Sequence, residues 1–134
     1  MSGELYRKHI LDHYGNPRNW GRLESPDIIG DAANPSCGDQ IRIELAFDGT
    51  GCVADVAFEG EGCMISIASS SIFTEHVKGM SLVDLAAITE ADVLAWLDAP
   101  VGRGRRACAL MPLSVLRQAL RERDGLEGIA ANVG

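Results

Sequence analysis

At 134 residues, with 46% apolar and 23% charged side chains, the chain has the size and composition of one soluble globular domain. Its formal charge of −7 and pI near 4.8 argue against a nucleic-acid footprint, while leaving room for a basic or amphipathic protein partner. No apolar run approaches membrane-spanning length, and Met1-Ser2-Gly3-Glu4 lacks the basic-then-apolar pattern of a secretory leader, so cytoplasmic residence without a membrane partner is expected. In that compartment Cys37, Cys52, Cys63 and Cys108 read as metal-binding or reactive rather than disulfide-bonded. No C-x-x-C spacing, internal repeat or low-complexity segment is present.

From the N-terminus, Glu4 to Tyr14 reads as a helix with a partial apolar face, stopped by Gly15-Asn16-Pro17. His9 and His13 lie four apart on it. Without a glutamate after the first histidine they are expected to be solvated or interface groups rather than metal ligands. Trp20 sits in a polar loop and is expected to pack on the core or the loop itself. Ile28-Ile29 suggests a short strand. Ile41 to Phe47 alternates as a half-buried strand should, and Asp48-Gly49-Thr50-Gly51 turns it back. On the return strand Cys52 shares the parity of Ala54, Val56 and Phe58, so it reads as a small buried hydrophobe outside any ligand set.

Met64 to Lys78 follows as a helix rich in serine and alanine, with Ala68, Ile72 and Val77 as its buried stripe. Ser81-x-x-Asp84 and Thr89-x-x-Asp92 resemble capping boxes opening two short helices. The last helix is expected to begin near Gly104, and Pro112 must either kink it or open a new one. The ordered core is expected over residues 4–123 of a single domain spanning 1–134, with 124–134 a mobile tail.

Chemistry-bearing residues recur at element ends beside glycine. Cys37-Gly38-Asp39 places a thiol and a carboxylate two positions apart in a turn. Glu59-Gly60-Glu61-Gly62-Cys63 places a second thiol where a strand gives way to a helix, a setting that favours thiolate. Cys108 follows Arg103, Arg105 and Arg106, whose charge would favour its thiolate or attract an anionic partner. Three thiolates and one carboxylate would complete a zinc shell or hold an iron–sulfur cluster. The competing reading is three unrelated buried cysteines and a turn aspartate.

Leu5-Tyr6-Arg7, Asp12 to Asn19, Asn34 to Asp39, Phe58 to Ser66 and Arg106-Ala107-Cys108 occur in an order and at intervals that resemble the iron–sulfur scaffold family of IscU, SufU and the NifU N-terminal domain. The likeness runs from about Glu4 to Leu120. It implies an α+β fold with a three-stranded antiparallel sheet and helices packed on one face. It implies Cys37, Asp39, Cys63 and Cys108 as ligands of a zinc ion or a 2Fe–2S cluster. It also implies a cysteine desulfurase of SufS or IscS type as sulfur donor, and apo iron–sulfur proteins as recipients. Cys108 would accept persulfide sulfur in the IscU manner and Cys37 in the SufU manner, with Arg105 supporting the thiolate or the partner complex.

Two features of the chain point in different directions within the family. The histidine that precedes the third cysteine in IscU types is Ala107 here, and this, with Gly60-Glu61-Gly62-Cys63, is similar to SufU types. The long SufU insertion is missing, since Cys63 and Cys108 are 45 positions apart (108 − 63). Ala99-Pro100-Val101-Gly102 is a poor counterpart of the IscU chaperone-recognition segment. The expected function is therefore a sulfur acceptor and cluster-assembly protein rather than an enzyme in the usual sense. The alternative is a structural zinc module that binds a partner without sulfur transfer. A hydrolytic zinc centre is disfavoured, because a full Cys3Asp shell leaves no open position for water.

Overall fold

The computed structural model describes the backbone of residues 2–34 and 38–133, and the side chains of 8–34 and 38–123. In chain order the elements are α1 (Ser2–Gly15), β1 (Ile28–Asn34), β2 (Asp39–Phe47), β3 (Val53–Glu61), α2 (Met64–Val77), α3 (Leu82–Ala86), α4 (Glu90–Leu97), α5 (Arg106–Ala109) and α6 (Met111–Val133). The three strands form one antiparallel sheet in the order β1-β2-β3. The α+β architecture expected from the sequence is the one observed.

One face of the sheet carries the core. Ile41, Ile43 and Leu45 of β2 and Val53, Val56 and Phe58 of β3 are buried against Ile67, Phe73 and Val77 of α2 and Leu113, Val115 and Leu116 of α6. The period-two alternation of β2 decides which face this is, because only the odd-numbered positions supply a continuous apolar row. Strand β1 runs past the Ile28-Ile29 pair to Asn34, which pairs with Asp39 at the start of β2. Its continuation was hidden from pattern reading by Gly30. A Cβ there would stand 2.9 Å from both the Val115 carbonyl oxygen and Ala119 Cβ, so this glycine lets α6 lie close on the strand.

The parity of β3 differs from expectation. Ala46 pairs with Asp55 but Phe47 pairs with Val53, so Ala54 is the extra residue of a bulge. The bulge turns Val53 into the core beside Val56 and Phe58. Cys52 is left half-buried, in an isolated bridge with Ser81, rather than joining the apolar face. On the free edge of β3 the loop after α1 takes the place of a fourth strand. Phe58 N–H donates to the Asn19 carbonyl at 2.9 Å, and Gly21 N–H donates to the Phe58 carbonyl at 2.8 Å.

Helix α2 is buried on nearly every side, including Ser66, Ser69, Ser70, Ser71 and Thr74. Small hydroxyl side chains let α1, β3, α5 and α6 all approach it closely. Both capping boxes form: Ser81 accepts from Asp84 N–H and Thr89 from Asp92 N–H, with each aspartate reaching back to the cap residue's N–H. Pro112 lies in the first turn of α6, where its missing N–H costs nothing, and the chain between α5 and α6 breaks at Leu110. The α6 backbone is helical through Val133, across the stretch read from sequence as a tail.

Candidate metal centre

Three elements converge at one end of the sheet. Asp39 is the first residue of β2, immediately after Gly38, whose φ of 74° suits a residue without Cβ. Cys63 is the residue that opens α2 as β3 ends, and Cys108 lies in α5. A carboxylate oxygen of Asp39 and the sulfurs of Cys63 and Cys108 all lie within 4.8 Å of one another. Asp39 and Cys108 are 1% and 3% exposed, whereas Cys63 is half-buried and forms the accessible side of the group. Donor atoms around one tetrahedral zinc stand about 3.5–3.8 Å apart. The observed spacing is close enough for small side-chain movements to complete it. Cys37 lies outside the described residues.

The carboxylate of Asp39 serves two purposes. Its Oδ1 accepts the Cys63 N–H at 2.9 Å, capping a helix whose own first residue makes no side-chain cap. Its Oδ2 lies 3.8 Å from Cys63 Sγ. One oxygen is thus anchored and the other faces the thiols. Gly62 makes this closeness feasible: a Cβ there would stand 2.7 Å from Asp39 Oδ1 and would collide with Ser66 Oγ. A Cβ on Gly60 would collide with the Gln40 carbonyl oxygen on the facing strand. The glycines before Cys63 therefore bring β2 and the start of α2 together.

Cys108 is held by a different route. Ser69 Oγ donates to the Ala109 carbonyl at 2.6 Å, a buried bond that ties α2 to α5 one residue past the thiol. Burial pushes the Cys63 thiol up, but the donor groups around it, the Ser66 N–H, the Cys108 thiol, the Ser66 hydroxyl and the Ile65 N–H, outweigh it and hold Cys63 below its ordinary value of 9.0. Arg103, Arg105 and Arg106 are all exposed. Arg106 pairs with Glu90 at 3.2 Å, so it is turned toward α4, while Arg105 closes a single 3₁₀ turn before α5.

The histidine pair is not part of this group. His13 is buried, with Nδ1 2.7 Å from Ser71 Oγ and Nε2 3.6 Å from Glu75 Oε1. Ser71 also accepts the Arg18 N–H at 2.9 Å, and Asn19 Nδ2 donates to Thr74 Oγ1 at 3.0 Å. These bonds clamp the loop after α1 onto α2 and present Trp20, half exposed and edge-on to Phe58 at 5.3 Å. Between loop and strand end lies a groove of about 650 Å³ lined by Tyr14, Pro17, Trp20, Glu61, Gly62 and Ile67. Gly62, the residue before Cys63, forms part of its wall. Sequence reading did not find it, since its walls come from three separate segments. No helix among the described residues is long and apolar enough to cross a membrane.

Comparison with known proteins decides the lineage of this arrangement. Residues 5–126 match the NifU-like N terminal domain family. The chain belongs to that family. Over 126 residues it is 32% identical to the iron-sulfur cluster assembly scaffold protein IscU of Haemophilus influenzae, covering 92% of this chain and 98% of that one. Identity is also 32% over 121 residues to the iron-sulfur cluster assembly enzyme IscU of Drosophila melanogaster, covering 88% and 77%. Among solved structures, a SufU of Fervidobacterium islandicum, described as an iron-sulfur cluster assembly scaffold for the SUF system, superposes with a TM-score of 0.71. It is 26% identical, and the match covers 90% of this chain and 99% of that one. Both the IscU and SufU branches of the resemblance are thus represented among its relatives.

Proposed function

We propose that this chain is an iron–sulfur cluster assembly protein that accepts persulfide sulfur from a cysteine desulfurase at a site built from Cys37, Asp39, Cys63 and Cys108. The observation that carries the reading is the meeting of Asp39, Cys63 and Cys108 within 4.8 Å, with Cys63 half-buried on the accessible side. Membership in a family whose members include named cluster-assembly scaffolds supports it. The donor set fits both ions under consideration, because thiolate and carboxylate are ordinary zinc ligands and thiolates are the usual ligands of iron–sulfur clusters.

In the proposed transfer a cysteine thiolate attacks the outer sulfur of the desulfurase persulfide. The S–S bond breaks and the donor's own sulfur leaves as a thiolate, so no external oxidant or reductant is needed. Cys108 and Cys37 are the acceptor candidates, and Arg105, exposed three residues before Cys108, is the candidate for supporting the thiolate or the partner complex. Because Cys108 is 3% exposed, acceptance there requires the α5 segment to open. A zinc ion, when bound by Cys37, Asp39, Cys63 and Cys108, would hold the thiols ionised until a partner displaces one of them. In the scaffold mode the cluster is cargo, assembled on the same side chains and passed to apo-proteins.

The test is anaerobic transfer of labelled sulfur from a desulfurase to the full chain and to Cys37→Ala, Cys63→Ala and Cys108→Ala. Loss of transfer in at least one is expected; undiminished transfer in all three overturns the proposal. Metal and acid-labile sulfide analysis of protein purified without oxygen then separates the modes. Zinc without sulfide indicates an acceptor that works from zinc, and iron with sulfide indicates a scaffold.

A further inference from the structure

Ser66 is fully buried at the base of the site and belongs to none of the ligand positions. Its hydroxyl donates to the Cys63 carbonyl at 3.0 Å, yet that carbonyl already receives its normal helical bond from Ile67 N–H at 3.2 Å. The hydroxyl proton is therefore not required where it stands. The same Oγ lies 3.8 Å from Cys63 Sγ, within reach of a hydrogen bond to sulfur. Rotation about one side-chain bond would move the proton from a carbonyl that can spare it to a sulfur that carries charge. Gly62 keeps the space for this movement clear, since a Cβ there would collide with Ser66 Oγ.

We propose that Ser66 is a positioning residue for ligand exchange, holding the Cys63 thiolate through its hydroxyl whenever that sulfur is off the metal. The inference rests on the reading of Cys63 as a ligand. A thiolate bound to a cation has given up part of its charge, so it accepts a hydrogen bond less strongly than a free one. A donor at this position thus favours the released state over the bound state and lowers the barrier to release. Nearby hydroxyls on the same helix do not serve Cys63: Ser69 Oγ is bonded to the Ala109 carbonyl, and Ser70 Oγ has no partner among the described residues.

The experiment loads the full-length protein with zinc and follows its release to excess chelator at fixed pH, beside thermal unfolding of each zinc-free variant. Ser66→Ala is expected to slow release on the order of three- to tenfold, the part of a charge-assisted hydrogen bond that coordination leaves unused. Ser70→Ala removes a buried hydroxyl from the same helix without touching Cys63 Sγ, and should leave the rate within about twofold of the parent. Equal or faster release from Ser66→Ala overturns the proposal, as does equal slowing in Ser70→Ala, which would mark a packing effect. Failure of the wild-type chain to bind zinc or iron at all would instead overturn the ligand reading on which the inference rests.

Discussion

The two ends of the sheet repeat one small motif with different consequences. At the site end Asp39 Oδ1 accepts the N–H of Cys63 at 2.9 Å; at the hairpin end Asp48 Oδ1 accepts the N–H of Cys52 at 3.2 Å. Each pairs a carboxylate with a cysteine beside turn glycines. Asp48 spends its oxygen locally, also accepting from Thr50 N–H and Oγ, and stays exposed. Asp39 reaches across 24 positions, is 1% exposed, and has a second thiol nearby from α5. A short acid–glycine–cysteine turn is thus a turn by default. It becomes a candidate centre only where separate elements close over it and remove the water that would otherwise satisfy the carboxylate.

The largest expected effect comes from filling the space that brings the site end together. Gly62→Ala places a Cβ against Ser66 Oγ and Asp39 Oδ1, both part of a packed unit. We expect about 2 kcal/mol of lost stability by thermal unfolding and zinc affinity lowered about thirtyfold or more. The hairpin counterpart Gly51→Ala meets no atom within 4 Å, although its φ of 86° carries strain of about 1 kcal/mol, so zinc affinity should not change.

Exchange of the two carboxylates tests the comparison directly. Asp39→Ala should weaken zinc binding and, by uncapping α2, lower stability by about 1–2 kcal/mol. Asp48→Ala should leave zinc titrations unchanged. Unaltered zinc binding in Asp39→Ala would show that the resemblance between the two ends is complete and that the site is not a ligand set.

A smaller effect should appear on acidification. Burial, with Arg18 next in weight and His9 adding a little, holds His13 below its ordinary value of 6.5; Glu75 and Asp12 oppose this. The folded state thus binds fewer protons than the unfolded state in this window, and stability falls as pH drops below about 6.5 until the folded His13 titrates. Asp48 is held below its ordinary 3.8 by the Thr50 hydroxyl, with help from the N–H groups of Cys52 and Thr50, so its turn is retained until more acidic pH. Amide protection factors, taken relative to intrinsic exchange that itself slows on acidification, should therefore fall from pH 7 to pH 5 along the α1–α2 seam before they do so in the hairpin. Simultaneous loss at both ends would show that His13 does not control the seam.

Much of this was legible in one dimension. The alternation of Ile41 to Phe47, the capping boxes at Ser81 and Thr89 and the helix stop at Gly15-Asn16-Pro17 all report local geometry, so each could be read from neighbours a few residues away. The order of the Cys37-Gly38-Asp39, Gly60-Glu61-Gly62-Cys63 and Arg106-Ala107-Cys108 motifs pointed to the family. The fate of Cys52 could not be read in the same way. Its parity was correct for the strand as written, but a bulge at Ala54, set by pairing with β2, reversed it. The length of β1 was similarly masked, because Gly30 lacks the side chain that pattern reading needs and is required only by α6 on the far side.

The sequence by itself determined which residue types were available for metal and sulfur chemistry, where the turns would place them, and which family they resemble, because these follow from side-chain chemistry and short-range backbone preference. Only the tertiary structure decided that Asp39 caps α2 as well as facing the Cys63 thiol, that Cys108 joins them from α5, and that Gly62 lines a groove with Tyr14 and Trp20. Each of those depends on atoms brought together across the sheet and between helices, where burial and packing settle distances that spacing along the chain does not contain.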